Sequence, residues 1–351
     1  MSLDRVVLAG YYPPPLGGES VHVADLARGL RARGIHVDVV NLRRGATASP
    51  EYRRVSGIFS LLTGLRRGLG GGALLHLHTN GHSAKSWSVV LAGAAALTFS
   101  RAVGILTLHS GFCPGYLARR GGMARAVIRF AVAPFAHVVC VNDAIRDALV
   151  KVGVPASRLS VLPAYLGLDA PGLLNDTDAR SIEGFAPYLV AAAATDPEYG
   201  LPALIDAIDR LRRRHPRVGC VVMGAGDVDA LRAEITHRGL GEHVICLGEV
   251  PHTRYLAFLA RADVFVRPSI VDGDAISVRE ALALGRRVVA SDTDFRPDGV
   301  IKFRRGDPAD LADKVTTALG TRATGVARDM RSFERLLGIY AAAVQTRRTR
   351  P

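Results

Sequence analysis

Short apolar runs alternate with longer amphipathic segments along the whole chain. The runs that predict strands in the first half are Val6–Ala9, Val37–Asn41, Leu74–His78, Gly104–His109, Val138–Val141 and Leu159–Leu162. Those in the second half are Tyr188–Ala193, Gly219–Met223, Val244–Leu247, Val264–Val266 and Val288–Ala290. Helix-length segments lie between them, notably Ser20–Arg33 and Asp143–Val152. This alternation is typical of parallel sheets with crossover helices, so it predicts an α/β fold of two Rossmann-like, doubly wound domains that face a central cleft.

A loop-forming segment between the two halves predicts the domain boundaries. Residues 167–184 carry proline, glycine, asparagine and aspartate with little periodicity, which indicates an interdomain linker. We therefore predict a first domain at 1–168, a linker at 169–185 and a second domain at 186–325. Helical spacing over Phe333–Val344 predicts a C-terminal helix within 326–351. This helix either packs on the second domain or crosses back to the first.

Composition limits the class of protein. The chain has 351 residues, of which 48% are hydrophobic, and this is enough for two buried cores. Its four cysteines form no Cys-x-x-Cys pair, so neither a disulfide framework nor a thiolate zinc site is indicated. We expect a cytoplasmic protein, because no secretion signal is visible and cysteine usage fits a reducing compartment. The longest uncharged apolar stretch, Trp87–Ser100, is shorter than the ~20 residues of a membrane span.

The net charge of +13 indicates an anionic partner, either a phosphorylated substrate or a membrane surface. Nucleic acid is not expected, since no recognition motif appears and aromatic residues make up 6% of the chain. The segment Tyr116–Phe130 mixes four arginines with apolar residues and could dock on anionic lipid at the inner face of the membrane. A solvated helix face is the commoner explanation of such a pattern.

Two carboxylates, Asp272 and Glu280, form the most informative feature. They lie eight positions apart, with Asp272 in a loop and Glu280 on the helix that follows. The N-terminus of a helix offers unpaired N–H groups to an anion, while nearby carboxylates accept hydrogen bonds from hydroxyl groups. The arrangement suits a hydroxyl-rich phosphate ester. Alternatively, Asp272 and Asp274 form an Asx turn and helix cap.

Glycines and histidines mark further candidate positions in the first half. Gly17 and Gly18 precede a helix, where absent side chains let the backbone approach a diphosphate, or where a tight turn simply needs glycine. His109 ends a strand and is either a ligand contact or a plain loop residue. His76 and His78, with His82, suggest a metal site, but no carboxylate or thiolate accompanies them. We therefore predict no protein-held metal.

Several segments together resemble one family. They are Tyr12–Ala27, Met223–Gly226, Leu247–Gly248 and Pro268–Gly285. On them the chain resembles the GT-B-fold retaining glycosyltransferases of family 4, also called group 1, from about Val6 to Tyr340. The resemblance implies a hexosyltransferase type of enzyme that moves a sugar from a nucleotide-sugar to an acceptor hydroxyl. It implies a sugar, polysaccharide or lipid-linked acceptor, a role in envelope polysaccharide or glycolipid assembly, and no cofactor or metal.

The resemblance also implies roles for individual residues. Glu280 would accept the ribose hydroxyls, Asp272 would lie near the transferred sugar and His109 would contact that sugar, so these three are the predicted catalytic residues. The predicted donor-binding residues are Gly17, Gly18, Gly224, Arg267, Gly273, Asp274, Ala275, Ile276, Ser277 and Glu280.

The chain departs from the family at the diphosphate. Ala194 and Tyr199 stand where the family has an arginine and a lysine that hold this group. Arg267 is the predicted substitute, with Arg279 and Arg296 as further candidates, although Arg279 could simply pair with Asp272 or Asp274.

Two other functions stay open on these residues. One is a catalytically degenerate relative that acts as a binding or scaffold partner, which the lost cations would suit. The other is a dinucleotide oxidoreductase, for which the fragment Gly224–Gly226 is too short a cofactor loop.

Overall fold

The computed structural model describes residues 3–70, 73–164, 167, 170–293, 295–322 and 331–348. The chain divides into two compact units, one formed by Met1–Leu168 with Met330–Pro351 and the other by Asp169–Asp329. The predicted boundary at residues 325 and 326 lies outside the described residues.

A parallel sheet forms the centre of the first unit. Within the described residues its strands are β1 (Arg5–Gly10), β2 (His36–Asn41), β3 (Arg53–Arg54), β4 (Leu74–Thr79), β5 (Val103–Leu108), β6 (His137–Cys140) and β7 (Leu159–Val161). Their order is β3-β2-β1-β4-β5-β6-β7. The connection reverses direction between β1 and β4, and the crevice outside the carboxyl ends of two such strands is the usual ligand position in open α/β sheets.

Helices cover this sheet. They are α1 (Gly18–Arg31), α2 (Ile58–Gly68), α3 (Ala84–Thr98), α4 (Cys113–Ala118), α5 (Gly122–Val132) and α6 (Asp143–Val152). Side-chain caps fix two of their starts, since Ser83 accepts the N–H of Ser86 and Asn142 accepts that of Ile145. Among the described residues, no helix combines the length and the apolar character that a bilayer-spanning helix needs.

A second parallel sheet forms the centre of the other unit. Its described strands are β8 (Tyr188–Ala192), β9 (Gly219–Met223), β10 (Val244–Gly248), β11 (Val264–Arg267), β12 (Arg287–Ser291) and β13 (Val300–Phe303), in the order β10-β9-β8-β11-β12-β13. The helices are α7 (Asp176–Ile182), α8 (Leu201–Leu211), α9 (Val228–His237), α10 (His252–Leu259), α11 (Ile276–Ala283) and α12 (Pro308–Leu319). Both sheets are parallel, so the predicted α/β fold with two Rossmann-like sheets is confirmed.

The C-terminal helix, α13 (Arg331–Arg348), belongs to the first unit. Phe333, Leu336 and Tyr340 are buried in the same apolar cluster as Val6 and Leu8 of β1. Of the two packings that the sequence left open for this helix, the structure has the one on the first unit.

The predicted linker, residues 169–185, requires a correction, because it contains α7. Asn175 caps this helix by accepting the N–H of Asp178, and Ile182 is buried in the core of the second unit. Arg254 clamps the Asp178 carboxylate with two hydrogen bonds, of 2.6 and 2.8 Å. Two buried positions, Asp178 and Ile182, are too few to produce a visible apolar period. The short strands β3 and β13 were missed for a similar reason.

Candidate functional site

In the second unit, the loop between β11 and α11 brings the predicted carboxylates together. The buried strand β11 ends at Arg267, and the chain then runs through Asp272 to Ala275, which holds the N-cap position of α11. The backbone N–H of Ile270 donates to the carbonyl of Glu198 over 2.7 Å and fixes the start of the loop. The loop therefore follows a strand end, as the sequence predicted.

Asp272 is enclosed by two arginines. Arg267 donates through Nη2 to Oδ1 over 2.6 Å and through Nε to Oδ2 over 3.1 Å, and Arg296 donates to Oδ2 over 2.7 Å. The hydroxyl of Ser269 donates to the same oxygen. Burial by itself would raise the pKa of Asp272, but the two guanidinium groups and this hydroxyl hold that pKa below its usual value. The carboxylate is therefore ionised, and the cluster of three charges has a net charge of +1.

Arg267 also connects this cluster to the altered diphosphate segment. Its Nη1 donates to the carbonyl of Ala192 over 2.5 Å, and its guanidinium carbon lies 5.1 Å from the centre of the Tyr199 ring. Tyr199 stands where the family has a lysine, and here it packs against an arginine instead of supplying a cation. Arg267 and Arg296 are largely buried, with side-chain exposures of 12% and 1%.

Asp274 forms a separate ion pair with Arg279. Its side chain is fully buried, and Nε of Arg279 donates to the two carboxylate oxygens over 2.7 and 2.8 Å. Of the pairings that the sequence left open for Arg279, the structure has the one with Asp274. The N-cap residue itself, Ala275, makes no side-chain cap.

Glu280 lies on α11 with 5% of its side chain exposed. Nε2 of His252, at the start of α10, donates to its Oε1 over 2.6 Å. The side chain of His252 is 16% exposed, so the pair lies just below the surface of the second unit. One carboxylate oxygen is thus oriented by a histidine 28 positions away, which no local pattern in the sequence indicated.

Gly224 has a structural reason to be glycine. It follows β9, and a Cβ atom on it would lie 2.1 Å from the carbonyl oxygen of Ala193. Gly226 has a φ of +119° and is equally crowded by Thr195. Two chain segments therefore approach closely here, and the ligand role of Gly224 stays a prediction.

Gly17 and Gly18, at the start of α1, are not crowded in this way. A Cβ on Gly18 would meet no described atom within 4 Å, and one on Gly17 would meet only the Ser20 hydroxyl at 3.9 Å. Gly17 has an extended backbone with φ of −161°, which any residue adopts. No described neighbour requires glycine at either position, and the ligand role of Gly17 and Gly18 stays a prediction.

Three histidines converge in the first unit. His22 of α1, His78 of β4 and His109 just after β5 have ring centres 5.2 to 5.4 Å apart. Nδ1 of His78 lies 3.1 Å from Nε2 of His109. Burial lowers the pKa of His22 to about 4 and holds the pKa values of His78 and His109 well below the usual one. All three rings are neutral at pH 7.

Neither His22 nor its neighbour Glu19 was predicted from the sequence to be a functional residue. His22 lies four positions after Gly18, and only its α1 position could have signalled it. Glu19, also in the first turn of α1, accepts the N–H of Tyr11 over 3.1 Å. Burial raises the pKa of Glu19 to about 7, although this hydrogen bond opposes the shift. His82, by contrast, is directed to the Ser110 hydroxyl, 2.7 Å away.

Two parallel α/β units, with a carboxylate-bearing loop and helix at a strand end of the second, are typical of the GT-B class of glycosyltransferases. The family model described as Glycosyltransferase Family 4 matches residues 16–165, and the model described as Glycosyl transferases group 1 matches residues 177–328. The chain belongs to this family of glycosyltransferases.

Individual relatives agree with this assignment. A phosphatidyl-myo-inositol mannosyltransferase of Mycobacterium leprae is 29% identical over 86% of this chain and 84% of its own length. A GDP-mannose-dependent phosphatidylinositol monomannoside mannosyltransferase of Mycolicibacterium smegmatis is 29% identical over 59% of this chain, and the match spans 63% of that relative, less than two thirds. The structure of HepE from Anabaena in complex with UDP covers 97% of this chain and 100% of its own, with a TM-score of 0.67 and 16% identity. This likeness shows the shared fold.

Proposed function

We propose that this protein transfers a sugar from a nucleotide-sugar donor to a hydroxyl of a lipid-linked or polysaccharide acceptor, with retention at the anomeric carbon. The observation that carries the proposal is the buried Glu280 carboxylate, held by His252 beside the loop that carries Asp272. The relatives in mycobacteria are named as mannosyltransferases acting on phosphatidylinositol compounds, which favours a glycolipid acceptor.

In this proposal the donor nucleotide binds at α11. Glu280 accepts the ribose hydroxyls, and the first N–H groups of α11, at Ile276 and Ser277, meet the diphosphate. The net positive charge of the cluster of Arg267, Asp272 and Arg296 attracts the same group. Arg267 acts mainly by orienting Asp272, because three of its five N–H groups already donate to Asp272 and to the carbonyl of Ala192. Catalysis then depends on positioning the donor and on stabilising the negative charge of the leaving diphosphate.

Nucleotide binding tests this proposal directly. Isothermal titration with UDP, GDP and ADP should show that one of them binds, and Glu280→Gln should weaken that binding about tenfold, as expected for a charge-assisted hydrogen bond. Glu242→Gln, a change at an exposed position of the second unit, is the matched control and should leave binding unchanged. If no nucleotide binds, the transferase proposal fails. Binding without turnover of any donor sugar would favour the degenerate scaffold, which Ala194 and Tyr199 suggest.

We further propose that the first unit docks on an anionic membrane surface, where a lipid-linked acceptor is found. Residues 52–142 contain ten Lys and Arg residues and no Asp or Glu, so this segment carries +10 of the net charge of +13. Each basic residue near an anionic lipid surface contributes about 1 kcal/mol to binding. The segregation of charge goes beyond a general preference for arginine, because the rest of the chain is nearly balanced.

Helix α5 combines this charge with an exposed apolar stripe. Met123, Val127 and Phe130 are 86%, 46% and 72% exposed, and their spacing of four and three positions places them on one face of the helix. The opposite face buries Ile128 and Val132 in the first unit. Arg129 lies exposed on the same helix. A helix with apolar residues and arginines facing outward is suited to the lipid headgroup region.

Vesicle flotation tests the docking. The protein should float with phosphatidylglycerol-containing vesicles at low salt and much less with pure phosphatidylcholine, since the attraction is electrostatic. The triple variant Met123→Ser, Val127→Ser, Phe130→Ser should lose most of this binding. Leu173→Ser, which removes a side chain that is 97% exposed in the second unit, should not. Equal flotation of the triple variant and the wild type would rule out α5 as the docking surface.

A further inference from the structure

We propose that His22, His78 and His109 form a binding site for a divalent transition-metal ion of the Zn²⁺ type. Each ring offers one nitrogen, and these three nitrogens lie within 4.8 Å of one another. Along the sequence His78 is grouped with His76 and His82, and no metal was predicted because no carboxylate or thiolate accompanies those three. In the folded protein His78 instead lies beside His22 and His109.

The spacing of the rings suits a single ion. The ring centres form a nearly equilateral triangle, with sides of 5.2, 5.3 and 5.4 Å. Zinc binds histidine nitrogen at ~2.0–2.1 Å in tetrahedral geometry, so two ligand nitrogens lie roughly 3.3 Å apart. The separation of 3.1 Å between Nδ1 of His78 and Nε2 of His109 is close to this distance. The ligand nitrogen of the third ring lies within 4.8 Å of the other two, so this ring moves inward to reach the ion.

The three ligands stand on rigid elements. His78 lies near the carboxyl end of β4, and His109 follows β5, which pairs with β4. His22 lies in the second turn of α1, which follows β1 on the other side of β4. The site thus forms where the sheet connection reverses direction, and it needs little reorganisation to bind an ion.

The surroundings of His22 resemble those of a metal ligand. Its Nδ1–H donates to the backbone carbonyl of Ala164, which fixes the tautomer and leaves the lone pair on Nε2. A ligating histidine almost always donates its other nitrogen in this way, and the bond orients the ring toward the ion.

His78 turns Nδ1, the nitrogen that lies 3.1 Å from Nε2 of His109, toward the proposed ion. The residue is fully buried, and its Nε2 has no hydrogen-bond partner among the described residues. An ion on Nδ1 places the ring proton on Nε2, so this nitrogen is not itself a ligand of the proposed ion. Three neutral imidazoles without a carboxylate select transition metals of the zinc, copper or nickel type over Mg²⁺ or Ca²⁺, which prefer oxygen ligands.

Three protein ligands leave one coordination position open to water or to a hydroxyl group. His109 is also the residue that the family resemblance assigns to the donor sugar. If the proposed transfer takes place, a bound ion therefore competes with the donor for His109, and added Zn²⁺ should inhibit transfer. This consequence rests on the proposed function, whereas the metal site itself does not.

Metal binding is measured on the whole, chelator-treated protein with Co²⁺ alone. We expect one equivalent of Co²⁺ to bind and to give the intense visible absorption of tetrahedral or five-coordinate cobalt, with Zn²⁺ displacing it. His22→Ala, His78→Ala and His109→Ala should each weaken binding at least tenfold. His82→Ala, in the same unit, and His237→Ala, exposed in the other, should not change it.

The outcome is independent of sugar transfer, because neither donor nor acceptor is present. Octahedral cobalt absorption, or binding that survives all three substitutions, would overturn the metal site. Circular dichroism checks that each variant is folded. If His78→Ala does not fold, His22→Gln, which keeps a polar side chain near Ala164, decides the question in its place.

Discussion

The hydroxyl of Tyr340 lies 2.6 Å from Nδ1 of His76, across 264 positions of the chain. The other nitrogen of this ring lies 2.7 Å from the hydroxyl of Thr107. His76 and Tyr340 are completely buried, and the ring of His76 packs against that of His78 with centres 3.9 Å apart. The C-terminal helix therefore completes the hydrogen bonding of a buried histidine beside the predicted functional site of the first unit.

Removing the Tyr340 hydroxyl should destabilise the protein. Tyr340→Phe keeps the ring but leaves Nδ1 of His76 buried without a partner, which costs about 1–3 kcal/mol of unfolding free energy. Urea denaturation followed by circular dichroism measures this loss. Tyr11→Phe, at an exposed position, is the control and should change stability by less than ~0.5 kcal/mol. A Tyr340→Phe protein as stable as the wild type would show that the bond contributes nothing.

Removing the charge of Asp272 should have a larger effect. Asp272→Asn leaves Arg267 and Arg296 buried without their counter-charge, and breaking a buried ion pair in this way costs about 3–5 kcal/mol. The same denaturation experiment measures it. Asp229→Asn breaks a surface pair with Arg232, in which the aspartate side chain is 92% exposed, and should cost less than ~1 kcal/mol. Similar losses in the two variants would contradict the buried cluster.

The raised pKa of Glu19 predicts a pH dependence of stability. The pKa is about 7 in the folded protein against a usual value of 4.5, so the folded state binds the extra proton between these values. Stability should therefore fall as the pH rises from 4.5 to 7 and stay level above that range, as far as Glu19 determines it. Glu19→Gln has no such proton. The difference in unfolding free energy between wild type and Glu19→Gln, measured from pH 4 to 8, should change only in this interval.

Gly224 should not tolerate a side chain. In Gly224→Ala the added Cβ would lie 2.1 Å from the Ala193 carbonyl oxygen, so the chain must shift, at a cost of about 1–3 kcal/mol. Gly241→Ala is a matched control, because a Cβ at Gly241 meets no described atom within 4 Å. Thermal unfolding should separate the two variants by several degrees. An unchanged midpoint for Gly224→Ala would mean that the two segments can move apart freely.

Local patterns in the sequence were sufficient for most of the sheets. Apolar runs such as Gly219–Met223 became strands with the same bounds, because a strand buried on both faces is apolar at every position. The polar pair Arg53–Arg54 also forms a strand. No apolar run predicts this strand, because both residues lie exposed at the edge of the sheet. Helix α7 was not predicted, because it has no periodic apolar face.

For the predicted functional residues, too, local sequence predicts the position of each side chain along the chain but not its partners. The placement of Asp272 in a loop and of Glu280 on the next helix follows from eight residues of local sequence. The partners of these carboxylates do not: Arg296 is 24 positions from Asp272, and His252 is 28 from Glu280. No local spacing relates such residues.

By itself, then, the sequence determined most of the strands, the parallel α/β class and the position of the loop before α11, because each depends on backbone preferences and burial over a few neighbouring residues. Only the tertiary structure decided that Asp272 is held by two arginines and that His22, His78 and His109 meet. Those contacts depend on the order of the strands in each sheet. This order places the ends of β11 and β12 side by side in the second unit, and the ends of β1, β4 and β5 side by side in the first, whatever their separation along the chain.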